Sequence, residues 1–188
     1  MSGTLLSGKR VALLLLLYAR GSSGQLCEAI EGRTRLQKML YLLNKEHKVV
    51  RQISSLKFEA YAYGPYTSEL YDDLAFLQNM NYLDTGTSSD VTVDELSGDV
   101  SYDYLMGGLQ EELPERYETV SYRLSQKGRD AVQDYIEGVK SDQNFPGVMA
   151  AIEDVKTRFN RRPLRELVRY VYTKYPEDAR ESVIADQI

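Results

Sequence analysis

The sequence predicts a mainly helical fold with a small β component, and three observations predict it. Leucine-rich and amphipathic runs recur at helical spacing along most of the 188 residues. Only a few short stretches alternate apolar and polar residues, and Gly-Pro, Gly-Ser and isolated Pro residues punctuate the runs. With 43% apolar residues the chain can build a core of its own, which suits one domain with a helical extension.

Taken in order, residues 4–20 read as a first helix. Its stretch 11–18, VALLLLLY, is expected to be buried nearly all round. Lys9 and Arg10 before it imitate the front of a secretory signal. Arg20 follows at once without a small-residue cleavage pattern, however, and the run is too short to span a bilayer. The GSSG at 21–24 makes a turn. Residues 31–48 place Leu36, Met39, Leu40 and Leu43 on one helical stripe, with Arg35, Lys38 and Lys45 on other faces and Thr34 or Gly32 near the start. An amphipathic helix with a basic face follows. Residues 56–63 alternate as a short half-buried strand that Gly64-Pro65 stops. Thr67 or Ser68 then caps a third helix with the stripe Leu70, Leu74 and Leu77, Tyr71 beside it and an end at 79–81.

Residues 84–118 are acidic and carry four glycines, which predicts a long irregular wing. Val120, Tyr122 and Leu124 alternate as a strand, and Ser125 caps a helix to about Ile136 that turns Ala131, Val132, Tyr135 and Ile136 inward. From Asn144 the pattern is helical again: Pro163 fits a first turn, Leu164, Leu167, Val168 and Val171 form the apolar side, and Pro176 ends it. This order is that of a winged helix-turn-helix. It predicts a winged-helix-like domain over 1–140, with its acidic wing or insertion at 84–118, and a C-terminal helical extension over 141–188 packed on it.

The net charge of -5 hides a strong asymmetry. Residues 31–57 hold seven Lys/Arg against two acids, whereas 58–119 hold one Arg against fourteen. Glu69, Asp72 and Asp73 on the third helix repel phosphates, so any contact with nucleic acid is expected from Arg33, Arg35 and Lys38 or from the second basic cluster of Lys156, Arg158, Arg161, Arg162, Arg165 and Arg169. Arg33, Arg35, Lys38, Arg161, Arg162 and Arg165 are also the candidates for contact with a protein partner.

Nothing in the sequence specifies catalysis. Cys27 is the single cysteine and His47 the single histidine, so no disulfide, thiolate cluster or two-imidazole site forms within the chain, and a reducing cytoplasm is the simplest home. The adjacent pairs Asp72/Asp73 and Glu111/Glu112 point about 100° apart on a helix and make no acid/base couple. The common phosphate, metal and nucleophile motifs do not occur. No cofactor, metal or catalytic residue is expected. Tyr61, Tyr63, Tyr66 and Tyr71 surround Gly64-Pro65, either as a stacking surface or as packing at a strand-to-helix joint. Few flanking cations and the nearby acids favour the joint, with Tyr63, Gly64, Pro65 and Tyr66 as a structural motif.

The segments LLLYARGSSGQLCEAIEGRTRLQKMLYLL, FEAYAYGPYTSELYDDLAFLQNMNYL, YRLSQKG and PLRELVRYVYTKYPE together resemble the YwgA-like prokaryotic proteins, a group similar to the Panacea (SocA-like antitoxin) domain. The matching positions are Arg33, Arg35, Leu36, Lys38, Tyr41, Tyr63, Gly64, Pro65, Tyr66 and Leu70. The resemblance implies a winged-helix-like, non-enzymatic module that binds a partner protein, and it brings no catalytic residue with it. A winged-helix DNA-binding regulator using the basic second helix is the alternative. An enzyme reading rests only on clustered Tyr and Asp. The aromatic VRYVYTKY face fits either a homodimer or a monomer packed on itself, and no membrane association is expected.

Overall fold

Seven consecutive apolar residues follow Arg10, and a helix of that composition must be covered on every side. In the computed structural model, which describes residues 9–48, 56–61, 64–88 and 119–182, the rest of the fold supplies that cover. Helix α1 (Lys9–Tyr18) keeps each of residues 11–17 at no more than 4% exposure. The elements after it are β1 (Ile30–Glu31), α2 (Arg33–Glu46), α3 (Glu69–Asn79), β2 (Leu83–Ser88), β3 (Thr119–Leu124), α4 (Gln126–Val139), α5 (Phe145–Phe159), α6 (Leu164–Lys174) and a 3-10 turn (Pro176–Ala179). Helix α1 packs against α2, β3, α4 and α5. The architecture is mainly helical with one small antiparallel sheet, as the sequence predicts at that level.

The sheet has the order β1-β3-β2, with β3 at its centre. Ile30 faces Tyr122 across β1 and β3, and β2 pairs with β3 over its full length from Leu83 opposite Leu124 to Ser88 opposite Thr119. Ile30, Leu83, Tyr122 and Leu124 are buried. Two expectations are corrected here. Of the strand expected at 56–63, the described residues 56–61 form only an isolated bridge, between Glu59 and Tyr66, while the strand beside α2 lies earlier, at Ile30–Glu31. Two residues are too few to show alternation, so β1 exists because β3 offers it partners. Residues 84–88, read as the start of an irregular excursion, are strand β2 for the same reason; 89–118 fall outside the described residues.

A third correction concerns α2. Gly32 precedes it with φ 87°, a conformation that suits glycine, and Leu36, Met39, Leu40 and Leu43 are buried as expected. Thr34, Gln37, Lys38, Tyr41 and Leu42 are buried too, because α5 and α6 pack on faces that α1 leaves open and the turn before α3 takes Gln37 and Lys38. The helix therefore has no broad basic face. Helix α3 buries Leu70, Leu74 and Leu77, but Ser68 stands at its N-cap without a side-chain cap bond.

Ser125 does cap α4: its Oγ accepts from the Gly128 amide at 3.0 Å. Gly128 itself is required by proximity, since a Cβ there would lie 2.2 Å from the Tyr82 carbonyl oxygen. The C-terminal helices belong to the same core. Val148, Ile152, Val155 and Phe159 of α5 and Leu164, Leu167, Val168 and Val171 of α6 join one continuous cluster with α1 and α2. Burying each such side chain contributes on the order of 1.5–3 kcal/mol.

Candidate interaction surface

The turn between α2 and α3 is fixed from both sides. Glu59 and Tyr66 exchange two backbone hydrogen bonds (2.9 and 2.8 Å), and the Gly64 amide donates to the Tyr61 carbonyl at 2.9 Å. Gly64 has φ 78°, and a Cβ on it would lie 2.5 Å from Cε1 of Tyr172. A side chain there meets strain and a ring at once. From below, Lys38 Nζ donates to the Pro65 carbonyl and Gln37 Nε2 to the Thr67 carbonyl, each at 2.9 Å.

On this frame the tyrosines form a row. Tyr61 stacks on Tyr66 with centroids 5.1 Å apart, and Tyr66 lies 5.9 Å from Tyr71. The guanidinium of Arg33 sits over Tyr71, 4.5 Å from the centroid, while its Nε donates to Tyr122 Oη at 3.3 Å. Tyr61 is 39% exposed, and only Leu26 joins it as an exposed large apolar side chain among the described residues. Glu59, paired with Tyr66, is exposed, as is Asp72, which follows Tyr71 on α3, and Glu69 is half-buried. Asp73 points the other way: it is buried, and Arg10 Nε donates to it at 2.8 Å while stacking over Phe76. Gly64, Pro65 and Tyr66 thus form the turn that leads into α3, with Tyr66 stacked on Tyr61 and also in contact with Tyr71 in the first turn of the helix. Tyr63 lies outside the described residues.

The six basic candidates separate into three situations. Lys38 is 2% exposed and engaged by Pro65, so its expected place on an exposed face is corrected: the fold uses its charge internally. Arg33 is half-buried over Tyr71. Arg35 crosses to the other end of the chain, where Nη1 donates to the carbonyls of Phe159 (2.7 Å) and Arg162 (2.6 Å) and closes the α5–α6 turn. That contact brings Arg35 to Arg161 and Arg162. Arg161 bonds Glu28 at 2.7 Å, Arg162 stands 3.9 Å from Glu166, and Arg165 is exposed on α6.

Two further polar clusters lie inside the fold. Lys156, expected in the exposed basic cluster, is instead fully buried, and its Nζ donates to the carbonyls of Leu17 and Ala19, both at 2.9 Å, at the C-terminal end of α1. Burial pulls this amine down to about 8, against the opposing pull of Cys27 and Glu28. Its neighbour Glu28 would be raised by burial, but hydrogen bonds from Ser23, Arg161 and Asn160 prevail and hold the carboxyl down at about 2. Cys27, half-buried with φ 57°, is pushed up chiefly by burial. At the other end of α2, Glu46 accepts from Tyr170 (2.9 Å), Lys174 (2.9 Å) and Tyr175 (3.2 Å), and Arg158 approaches at 3.5 Å. A sequence signal for Lys156 existed: it falls on the α5 stripe with Ile152 and Phe159, where an unpaired lysine would be costly. Glu46 offered none, because its partners lie more than 110 residues away.

Among the described residues, no group of three or more His, Cys, Asp or Glu side chains is placed to hold a metal ion, and no helix is long and apolar enough to cross a membrane. Compared with known proteins, the chain matches no family model and no curated protein.

Proposed function

We propose that this protein is a non-enzymatic, antitoxin-like regulatory module that binds a partner protein through the surface at the start of α3. One observation carries the reading: a rigid row of tyrosines, Tyr61 on Tyr66 beside Tyr71, ends in an exposed ring and is flanked by Arg33. Tyrosine and arginine on a preorganised frame are the side chains that most often dominate protein interfaces. The frame here is held by Lys38, Gln37 and the Tyr172 ring, so little ordering cost remains for association.

The strand order β1-β3-β2 and the helix sequence around it support a winged-helix reading of the fold. In that frame α3 is the helix that would enter a DNA groove. Its first turns carry Glu69 and Asp72, and residues 58–115 contain thirteen acids and no Lys or Arg, so a protein partner is favoured over DNA. A single cysteine suits a cytoplasmic setting.

The test is recovery of partners by the purified, tagged protein from an extract of its host, with wild type and Tyr61→Ala run side by side. A stoichiometric protein retained by wild type and lost by Tyr61→Ala is the expected result. Equal recovery by both proteins, or retention of DNA with a steep salt dependence and no protein, overturns the reading.

A further inference from the structure

Resting on the proposed interaction surface, we infer that its partner presents an arginine-bearing basic segment, whose guanidinium groups stack on the tyrosine row and pair with the carboxylates beside it. The surface already holds one guanidinium in this way. Arg33 lies 4.5 Å from the Tyr71 centroid and donates to Tyr122, a face-on arrangement that a planar, weakly hydrated cation adopts more readily than an ammonium. Arg10 repeats the pattern on the far side of α3, over Phe76 at 4.0 Å with Asp73 as its carboxylate. Rings of α3 thus hold two arginines of neighbouring helices, Arg33 of α2 with Tyr122 of β3 as its acceptor and Arg10 of α1 with Asp73.

The outer part of the row has the same components. Tyr61 offers exposed ring surface over Tyr66, Glu59 is tied to Tyr66 by two backbone bonds, and Asp72 is exposed next to Tyr71. From Phe58 to Glu115 the chain carries acids and no Lys or Arg, and Arg33, the cation at the row, is already engaged by Tyr71 and Tyr122. An acidic partner gains nothing from the carboxylates beside it. A basic one is both steered and held.

The probe is a fluorescein-labelled nona-arginine peptide, titrated by anisotropy at about 150 mM salt, where screening confines electrostatics to about 8 Å. Nona-lysine of the same length and label is the comparison. Nona-arginine is expected to bind several-fold more tightly than nona-lysine. Tyr61→Ala and the double variant Glu59→Gln/Asp72→Asn are each expected to weaken nona-arginine about tenfold. The double variant Asp134→Asn/Glu177→Gln, which removes the same charge from exposed sites elsewhere, is expected to stay within twofold of wild type. Equal losses in the two double variants mean that binding follows net charge alone, and the inference falls. Absent binding falls against it too. If the extract partner still depends on Tyr61 while nona-arginine does not bind, the interaction surface stands and only the basic character of the partner is refuted. If neither depends on Tyr61, both readings fail.

Discussion

Replacing Lys156 with methionine removes an ammonium from the centre of the fold with little change of volume, and the outcome depends on pH in a way the structure specifies. Lys156 is fully buried and bonds the carbonyls of Leu17 and Ala19, at the end of α1. Its amine titrates at about 8 in the folded protein against an ordinary 10.5. The folded chain therefore binds fewer protons than the unfolded chain between these values, and stability rises with pH across that window. From pH 7 to pH 9.5 the gain from this group is about 2 kcal/mol, on a full range of about 3 kcal/mol. The bonds survive the change, because a neutral amine keeps two N–H donors and there are two carbonyls to serve. In Lys156→Met both carbonyls lose their donor, at about 1–3 kcal/mol each, offset in part by relief from a buried charge at neutral pH. Urea denaturation of wild type and variant at pH 7 and pH 9.5 reads the difference, and background titrations cancel between the two proteins. The variant is expected to be less stable at both pH values, with the gap about 2 kcal/mol wider at pH 9.5. A gap that is the same at both pH values refutes the argument, because it would mean that the buried amine does not change protonation in this window.

Three further outcomes follow from single contacts. Gly128→Ala gains about 1 kcal/mol of helix propensity but drives its methyl to within 2.2 Å of the Tyr82 carbonyl, so a thermal melt should fall by several degrees. Gly138→Ala, in open space on the same helix, should rise slightly; a shared sign for the two would count against the steric account. Arg35→Met removes the bonds to Phe159 and Arg162 and is expected to cost about 2–3 kcal/mol, with faster amide exchange confined at first to the α5–α6 turn. For Glu28 the folded carboxyl lies at about 2 against an ordinary 4.5, so its contribution is complete above pH 4.5 and is lost as pH falls toward 2. Acid titration of stability should therefore be shallower in Glu28→Gln than in wild type over that window, by up to about 3 kcal/mol in total. Parallel curves would rule the linkage out.

The candidate surface was partly legible. Gly64-Pro65 and the surrounding tyrosines mark a joint in the sequence itself, because a positive-φ glycine and a proline announce a turn without reference to anything distant. That Tyr61 stacks on Tyr66 and ends exposed depends on the Glu59–Tyr66 pairing and on Tyr172, which no local pattern contains. The basic residues were the least legible. Arg35 and Lys38 look like surface cations by spacing, yet one closes a turn 124 residues away and the other lies under Pro65.

The sequence by itself determined the leucine-packed α1, the apolar sides of α3, α4 and α6, the Ser125 cap and the punctuation at Gly64, Pro163 and Pro176. These are features of period and backbone geometry, readable within one or two turns of chain. Only the tertiary structure decided the two-residue β1, the strand character of 84–88 and the burial of Lys38, Asp73 and Lys156. A strand needs a neighbour to accept its hydrogen bonds, and a charge enters the interior only where acceptors from distant segments wait for it.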